Sequence, residues 1–130
     1  MSISKKITRD QPESLIQIHV AHHFRKLADV KKNFTFFHVP NGGVRSKREA
    51  AKLKAMGVLP GVHDLVFLTA GGGTLLIELK AKKGSASDAQ KVFFGVVERL
   101  GHAQFLIKAI DGHDAITQIT SILKAHGVLK

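Results

Sequence analysis

The stretch PGVHDLVFLTAGGGTLLIELK (60–80) is the strongest constraint on how this chain folds. Two strand-length apolar runs, HDLVFL (63–68) and TLLIELK (74–80), flank the glycine-rich bend AGGG, the pattern of a β-hairpin. A hairpin is antiparallel, so the start of the first strand lies beside the end of the second. Side chains alternate faces along a strand. Leu76, Glu78 and Lys80 therefore share one face, and Leu75, Ile77 and Leu79 the other. Glu78 and Lys80 stand about 6–7 Å apart along the strand. Asp64, Val66 and Leu68 share a face of the partner strand. The hairpin thus brings two carboxylates and an ammonium to one end of a sheet.

Burying charge is costly unless the charge is paired or binds a metal. Two close carboxylates repel, and a hard cation such as Mg²⁺ or Mn²⁺ relieves the repulsion, with backbone carbonyls and waters completing the shell. Such a cation polarises a phosphoryl oxygen and lowers the pKa of a bound water. A lysine beside it orients that water or stabilises charge building on the phosphate. This is a phosphodiester hydrolase site in outline. A bare E-x-K is more often a solvated edge strand with Asp64 in a turn. Asp64 at the matching strand end leaves the two readings level.

The remaining segments supply a sheet for the hairpin to join. Ile16, Val20, Phe24 and Leu27 recur at helical spacing, predicting a helix from Asp10–Pro12 to about Ala28. FTFFHV (34–39) reads as a strand stopped by PNGG (40–43), and SKREAAKLKAM (46–56) as a helix closed by Gly57. SDAQKVFFGVVERL (87–100) predicts a helix with the stripe Ala89, Phe93, Val96, Val97 and Leu100; Phe94 falls off it, as an edge contact or part of a subunit interface. AQFLIKAI (103–110) is a strand and GHDAITQITSILKAHG (112–127) a closing helix. A strand, helix, strand succession near the end implies a right-handed crossover and a parallel pair. The expectation is one α/β domain over 1–130, a mixed central sheet flanked by helices, with 1–9 a loose segment.

Twenty Lys and Arg against ten Asp and Glu give a net charge of +10, which points to a polyanionic partner, nucleic acid before membrane. The basic helix at 46–56 has too little apolar face for a membrane surface. Arg45, Lys47, Arg48, Lys52 and Lys54 crowd one segment with a single acid, Glu49, and Lys82 and Lys83 follow the acidic strand. Read as a phosphate-backbone surface, these make affinity fall steeply with salt. With no cysteine, disulfides and thiolate metal sites are excluded, and a reducing cytoplasmic compartment fits. MSISKKITRDQPES has no apolar core of a signal peptide, and no run approaches a membrane span. His19 and His23 lack the third ligand of a zinc site, and AGGGT lacks the lysine and helix of a P-loop.

Three motifs admit two roles each. Asp10-Gln11-Pro12-Glu13 and Ser87-Asp88-Ala89-Gln90 both have capping-box form, while Glu13 on the edge of the first helix's stripe could also reach the sheet end. NGG (41–43) suits a tight turn or a close backbone approach to phosphate.

His38-Val39-Pro40-Asn41-Gly42-Gly43, the run EAAKLKAMGVLPGV, Asp64, and Glu78-Leu79-Lys80, in this order and spacing, resemble the virus-type replication-repair nuclease (VRR-NUC) family of the PD-(D/E)XK superfamily. The match runs from Glu13 to about Asp114. The resemblance implies a restriction-endonuclease-like core and a Mg²⁺- or Mn²⁺-dependent endodeoxyribonuclease. It implies Asp64, Glu78 and Lys80 as catalytic residues, with Glu13 and Gln90 in support. It implies metal ligation by Asp64, Glu78, Glu13 and the Leu79 carbonyl. His38, Asn41, Gly42 and Arg45 are implied at the mouth of the site. The family's usual proline before the aspartate is here His63, which leaves activity expected and a phosphate contact conceivable. Stand-alone members of the family resemble dimeric Holliday junction resolvases, so a junction-resolving homodimer of phage or prophage origin, acting in DNA repair and recombination, is the leading expectation. A flap or nicking nuclease and a non-catalytic nucleic-acid-binding module are the alternatives.

Overall fold

The computed structural model describes residues 10–40 and 45–130. In chain order the elements are α1 (Glu13–Lys31), β1 (Phe34–His38), α2 (Lys47–Ala55), β2 (Leu65–Thr69), β3 (Gly73–Ala81), α3 (Asp88–Leu100), β4 (Ala103–Ala109) and α4 (Gly112–Ala125). This is the succession that the periodicities predict, with ends displaced by up to three residues. The Asn41-Gly42-Gly43 turn, and with it Asn41 and Gly42 as nucleic-acid contacts, lies outside the described residues.

Among the described residues the strands form one sheet in the order β1-β2-β3-β4. β1 and β2 run antiparallel with Phe36 opposite Phe67, and β2 and β3 form the expected hairpin with Leu65 opposite Ile77. β3 and β4 are parallel, with Glu78 opposite Leu106, as the α3 crossover requires.

Alternation sorts the sheet residues into an oily face and a mixed face. Phe34, Phe36, Leu65, Phe67, Leu75, Ile77, Leu79, Ile107 and Ala109 pack against Ile16, Val20, Phe24 and Ala28 of α1 and Ala115, Ile119 and Leu123 of α4. Phe67 centres this core: Phe36 stacks on it at 5.2 Å and Phe24 meets it edge-on at 5.9 Å. α1 and α4 meet where Gly112 packs on His19, at a spot where a Cβ would collide with the imidazole. The mixed face carries Leu76, Glu78 and Gln104, and α3 lies on it.

Two expectations about faces need correction. α3 buries only Val97 of its predicted stripe; Ala89 and Leu100 are exposed, Leu100 by 68%. Phe93 and Phe94 are both half-buried, so Phe94 is not off the packed side. In α1, Ala28 completes the buried stripe, with Leu27 only partly covered.

Candidate active site

Asp64 lies just before β2, and Glu78 is in the run of β3 beside it. The two residues clasp each other through backbone and side chain. The Asp64 N–H donates to Glu78 Oε1 at 3.1 Å, and the Leu79 N–H donates to Asp64 Oδ2 at 2.9 Å. Glu78 Oε2 accepts from Gln90 Nε2 at 2.7 Å and pairs with Lys80 Nζ at 3.2 Å. Glu78 is wholly buried, on the mixed face, under the first turn of α3. The paired Glu78 and Lys80 therefore do not lie on a solvated edge strand.

The electrostatics follow from this burial. Desolvation pushes the Glu78 carboxyl up, the Asp64 charge pushes it further, and Lys80 pulls it back, leaving it at about 7. Glu13, in the first turn of α1, is also raised, by burial first and by Asp64 second. Pro12 caps α1 without a side-chain bond, so the Asp10–Glu13 capping box is absent. Glu13 instead shares a cavity of about 330 Å³ with Asp64, Glu78 and Gln90. Glu13 and Asp64 also line a second cavity, of about 520 Å³, with His38. There the His38 Nδ1–H donates to the Asp64 carbonyl at 2.9 Å, as does the Val39 N–H at 2.9 Å.

Gln90 fills both of its roles at once. Its Oε1 accepts from the Ser87 N–H at 2.8 Å, and its own N–H donates to Ser87 Oγ, completing the capping box. The second half of the same carboxamide donates to Glu78.

His63 is 1% exposed, which rules out the phosphate contact considered for it. Its ring lies 4.6 Å from Phe94 and 5.6 Å from Phe93. Burial lowers its pKa, with the Gln104 carboxamide acting the other way. The packing of His63, Phe93 and Phe94 is the feature that sequence reasoning missed. Its signal was the spacing of Gln90, Phe93 and Phe94, which at i, i+3 and i+4 share a helix face. Gly61 was missed as well. It has φ +85°, and a Cβ there would strike the Ala89 carbonyl, so only glycine seats this loop against α3.

The basic residues lie outside the carboxylate cluster. Arg45, Lys47, Arg48, Lys52 and Lys54 are exposed, and α2 has no buried residue. Ser46 caps α2 by accepting from the Glu49 N–H at 3.1 Å. The segment joins the site at both ends, through Val39 and through Gly61–Val62. Lys82 and Lys83 are exposed after β3. His19, His22 and His23 border a separate cavity of about 450 Å³ with Lys26.

Among the described residues no three His, Cys, Asp or Glu side chains converge to hold a metal ion by themselves. The donor set nevertheless fits a hard cation. It is all oxygen, with Asp64 and Glu78 in contact and Glu13 on the same cavity, and its mutual repulsion is what a cation would relieve. Mg²⁺ is ordinarily held by one or two carboxylates plus waters and substrate oxygens.

No family model matches the sequence, and no curated protein does. Among solved structures, a VRR_NUC domain protein superposes with a TM-score of 0.66, at 25% sequence identity, over 89% of this chain and 91% of its own. The chain is similar to a VRR_NUC domain protein. This likeness supports a PD-(D/E)XK-like, restriction-endonuclease-like fold, a mixed sheet flanked by helices.

Proposed function

We propose that the protein is a divalent-metal-dependent endonuclease that hydrolyses phosphodiester bonds in branched DNA, acting on four-way junctions as a homodimer. The observation that carries the hydrolase reading is the cluster of buried Glu78 with half-buried Asp64 and Lys80, whose two carboxylates open on a cavity shared with Glu13. The likeness to a VRR_NUC domain protein supports the same chemistry.

Asp64, Glu78, the Leu79 carbonyl and Glu13 would hold Mg²⁺ or Mn²⁺, which when bound supplies Lewis-acid polarisation and a water of lowered pKa. The chain's own residues do the rest. Lys80, paired with Glu78, favours the ionised carboxylate and presents an ammonium where negative charge develops on the phosphate. Gln90 holds the other side of the same carboxylate oxygen, so Glu78 has one orientation. A water oxygen bonds to phosphorus and gives up a proton to solvent, the bridging P–O bond breaks, and the departing oxygen takes up a proton from solvent, so that one water is consumed per cut. Arg45, Lys47, Arg48, Lys52, Lys54, Lys82 and Lys83 would hold the sugar–phosphate backbone, with His38 at the mouth.

No base-reading motif accompanies these residues, which favours recognition of DNA shape over sequence. A four-way junction has near two-fold symmetry and needs two coordinated cuts, which a C₂ pair of such sites would supply. The test is cleavage of a labelled four-way junction with Mn²⁺ or Mg²⁺, beside duplex, flap and single-strand controls and Lys80→Ala. Paired symmetric cuts confined to the junction and absent from the variant are expected. Preferential flap cutting would overturn the substrate, and cutting by Lys80→Ala at the parent's rate would overturn the site.

A further inference from the structure

α3 is weakly held for a helix that delivers a side chain into a buried site. It buries only Val97, and Val92 and Leu100 are 70% and 68% exposed. Its N-terminal half nevertheless brings Gln90 Nε2 to within 2.7 Å of Glu78. That half is seated at three places: the Gly61–Ala89 contact, the Gln104 Nε2 bond to the Phe94 carbonyl at 2.8 Å, and the His63 ring against Phe93 and Phe94. Gln90, Phe93 and Phe94 share one helix face, so what grips the two rings also sets where Gln90 points. His63 is the residue before Asp64. One wholly buried ring thus ties the strand of the first carboxylate to the helix that orients the second. Its Nδ1 and the Oε1 of Gln104, whose carboxamide faces the ring, are both buried without an aligned hydrogen bond; what holds the ring against α3 is its packing on Phe93 and Phe94.

We propose that His63 is a positioning residue: its ring, packed on Phe93 and Phe94, seats α3 so that Gln90 holds Glu78, without proton transfer or phosphate contact. The consequence for catalysis rests on the nuclease reading; the placement of Gln90 does not. The experiment therefore has two arms, run on the full chain with His63→Phe and His63→Ala.

In the first arm, the Gln90 side-chain amide resonances are followed by NMR. His63→Phe keeps the parent's shifted, protected signals, and His63→Ala moves them toward those of a free carboxamide. In the second arm, junction cleavage is measured at saturating DNA. His63→Ala lowers kcat by about tenfold to a hundredfold with KM little changed, as a misplaced site does, and His63→Phe restores the rate. On a Gln90→Ala background, His63→Ala adds less than about twofold, because the two act through one contact. Should His63→Ala fail to fold, His63→Leu fills the volume without the ring plane and replaces it in both arms. Loss in His63→Phe equal to that in His63→Ala, or full additivity with Gln90→Ala, overturns the proposal. If the unsubstituted protein cleaves no DNA, the nuclease reading fails while the NMR arm still decides the role of His63.

Discussion

Replacing Glu78 by glutamine should stabilise the metal-free protein at alkaline pH while removing activity. Glu78 is wholly buried, and burial with the Asp64 charge raises its carboxyl from 4.5 to about 7. Each pKa unit is worth about 1.4 kcal/mol, so the ionised carboxylate costs the folded state about 3 kcal/mol once pH passes well above 7. A group whose pKa is raised on folding gives stability that is complete below its unfolded pKa. That stability disappears as pH rises through the folded value. Stability should therefore fall between pH 5 and 8.5, and Glu13, raised for the same reasons, adds to the fall. His63 works in the opposite direction: its lowered pKa removes stability as pH drops below the ordinary histidine value of 6.5. Taking the difference between variant and parent at each pH removes this contribution.

Glutamine imitates the protonated acid but has one acceptor oxygen, whereas Glu78 accepts at both, from Asp64 N–H and from Gln90 and Lys80. One of those bonds is lost, so the expected gain drops to about 1–2 kcal/mol. At about 4 °C per kcal/mol for a chain of this size, Tm rises about 4–8 °C at pH 8.5 and is unchanged or lower at pH 5. Thermal unfolding in EDTA across this range measures it. Mn²⁺ should stabilise the parent by about 2.7 kcal/mol at a hundredfold excess over Kd, raising its Tm, and leave Glu78→Gln unmoved. A variant whose Tm is lower than the parent's by the same amount at every pH would refute the reasoning, since Glu78 would then be a simple structural ion pair.

Changing Arg48, Lys52 and Lys54 together to glutamine should reduce the dependence of log affinity for duplex DNA on log salt by about 2–3, at about 0.9 per lost phosphate contact. Fluorescence anisotropy reads this, and an unchanged slope would mean that α2 does not touch the backbone. Gly61→Ala forces φ +85° on a residue with a Cβ and drives that atom into the Ala89 carbonyl. It should cost about 2–3 kcal/mol in denaturant unfolding, and a neutral result would show that the loop is not seated against α3.

The fold was legible in the sequence because its elements are separately periodic. TLLIELK is a strand-length apolar run beside a glycine bend, and Ile16, Val20 and Phe24 repeat at helical spacing, so neither depends on knowing its partner. The pairing of Asp64 with Glu78 was legible for the same reason: a short hairpin fixes register, and register fixes faces. The seat of α3 was not. Its amphipathic pattern measures what the helix is able to bury, whereas the sheet covers only part of that face, so Ala89 and Leu100 stay outside. His63 was illegible because its environment comes from residues 30 positions later, and one histidine beside an acid looks the same whether it meets solvent or two phenylalanines. The two roles of Gln90 could not be separated from sequence either, since a capping box and a carboxylate contact use different halves of one carboxamide.

That division of labour within Gln90 can be tested by changing one half at a time. Gln90→Glu keeps the capping box, because a carboxylate oxygen accepts from the Ser87 N–H as the amide oxygen does. It replaces the Nε2 donor, 2.7 Å from Glu78 Oε2, with a second carboxylate beside one already crowded by Asp64. Helix content should be unchanged. Stability should match the parent at pH 5, where Glu78 is protonated and can itself donate, and fall behind as pH rises toward 8, because ionising Glu78 now sets three carboxylates together. The deficit at pH 8 should be about 1–3 kcal/mol, the usual cost of leaving a buried charge without its donor. Gln90→Ala behaves differently. It loses the side-chain half of the box, the Oε1 acceptor of the Ser87 N–H, at every pH, about 1 kcal/mol, and loses the Glu78 donor without adding repulsion, so its deficit depends less on pH. Urea unfolding at pH 5, 6.5 and 8 separates the two variants. Parallel curves for both would mean that the capping box is the whole contribution of Gln90 and that Glu78 is oriented by Lys80 and the Asp64 backbone alone.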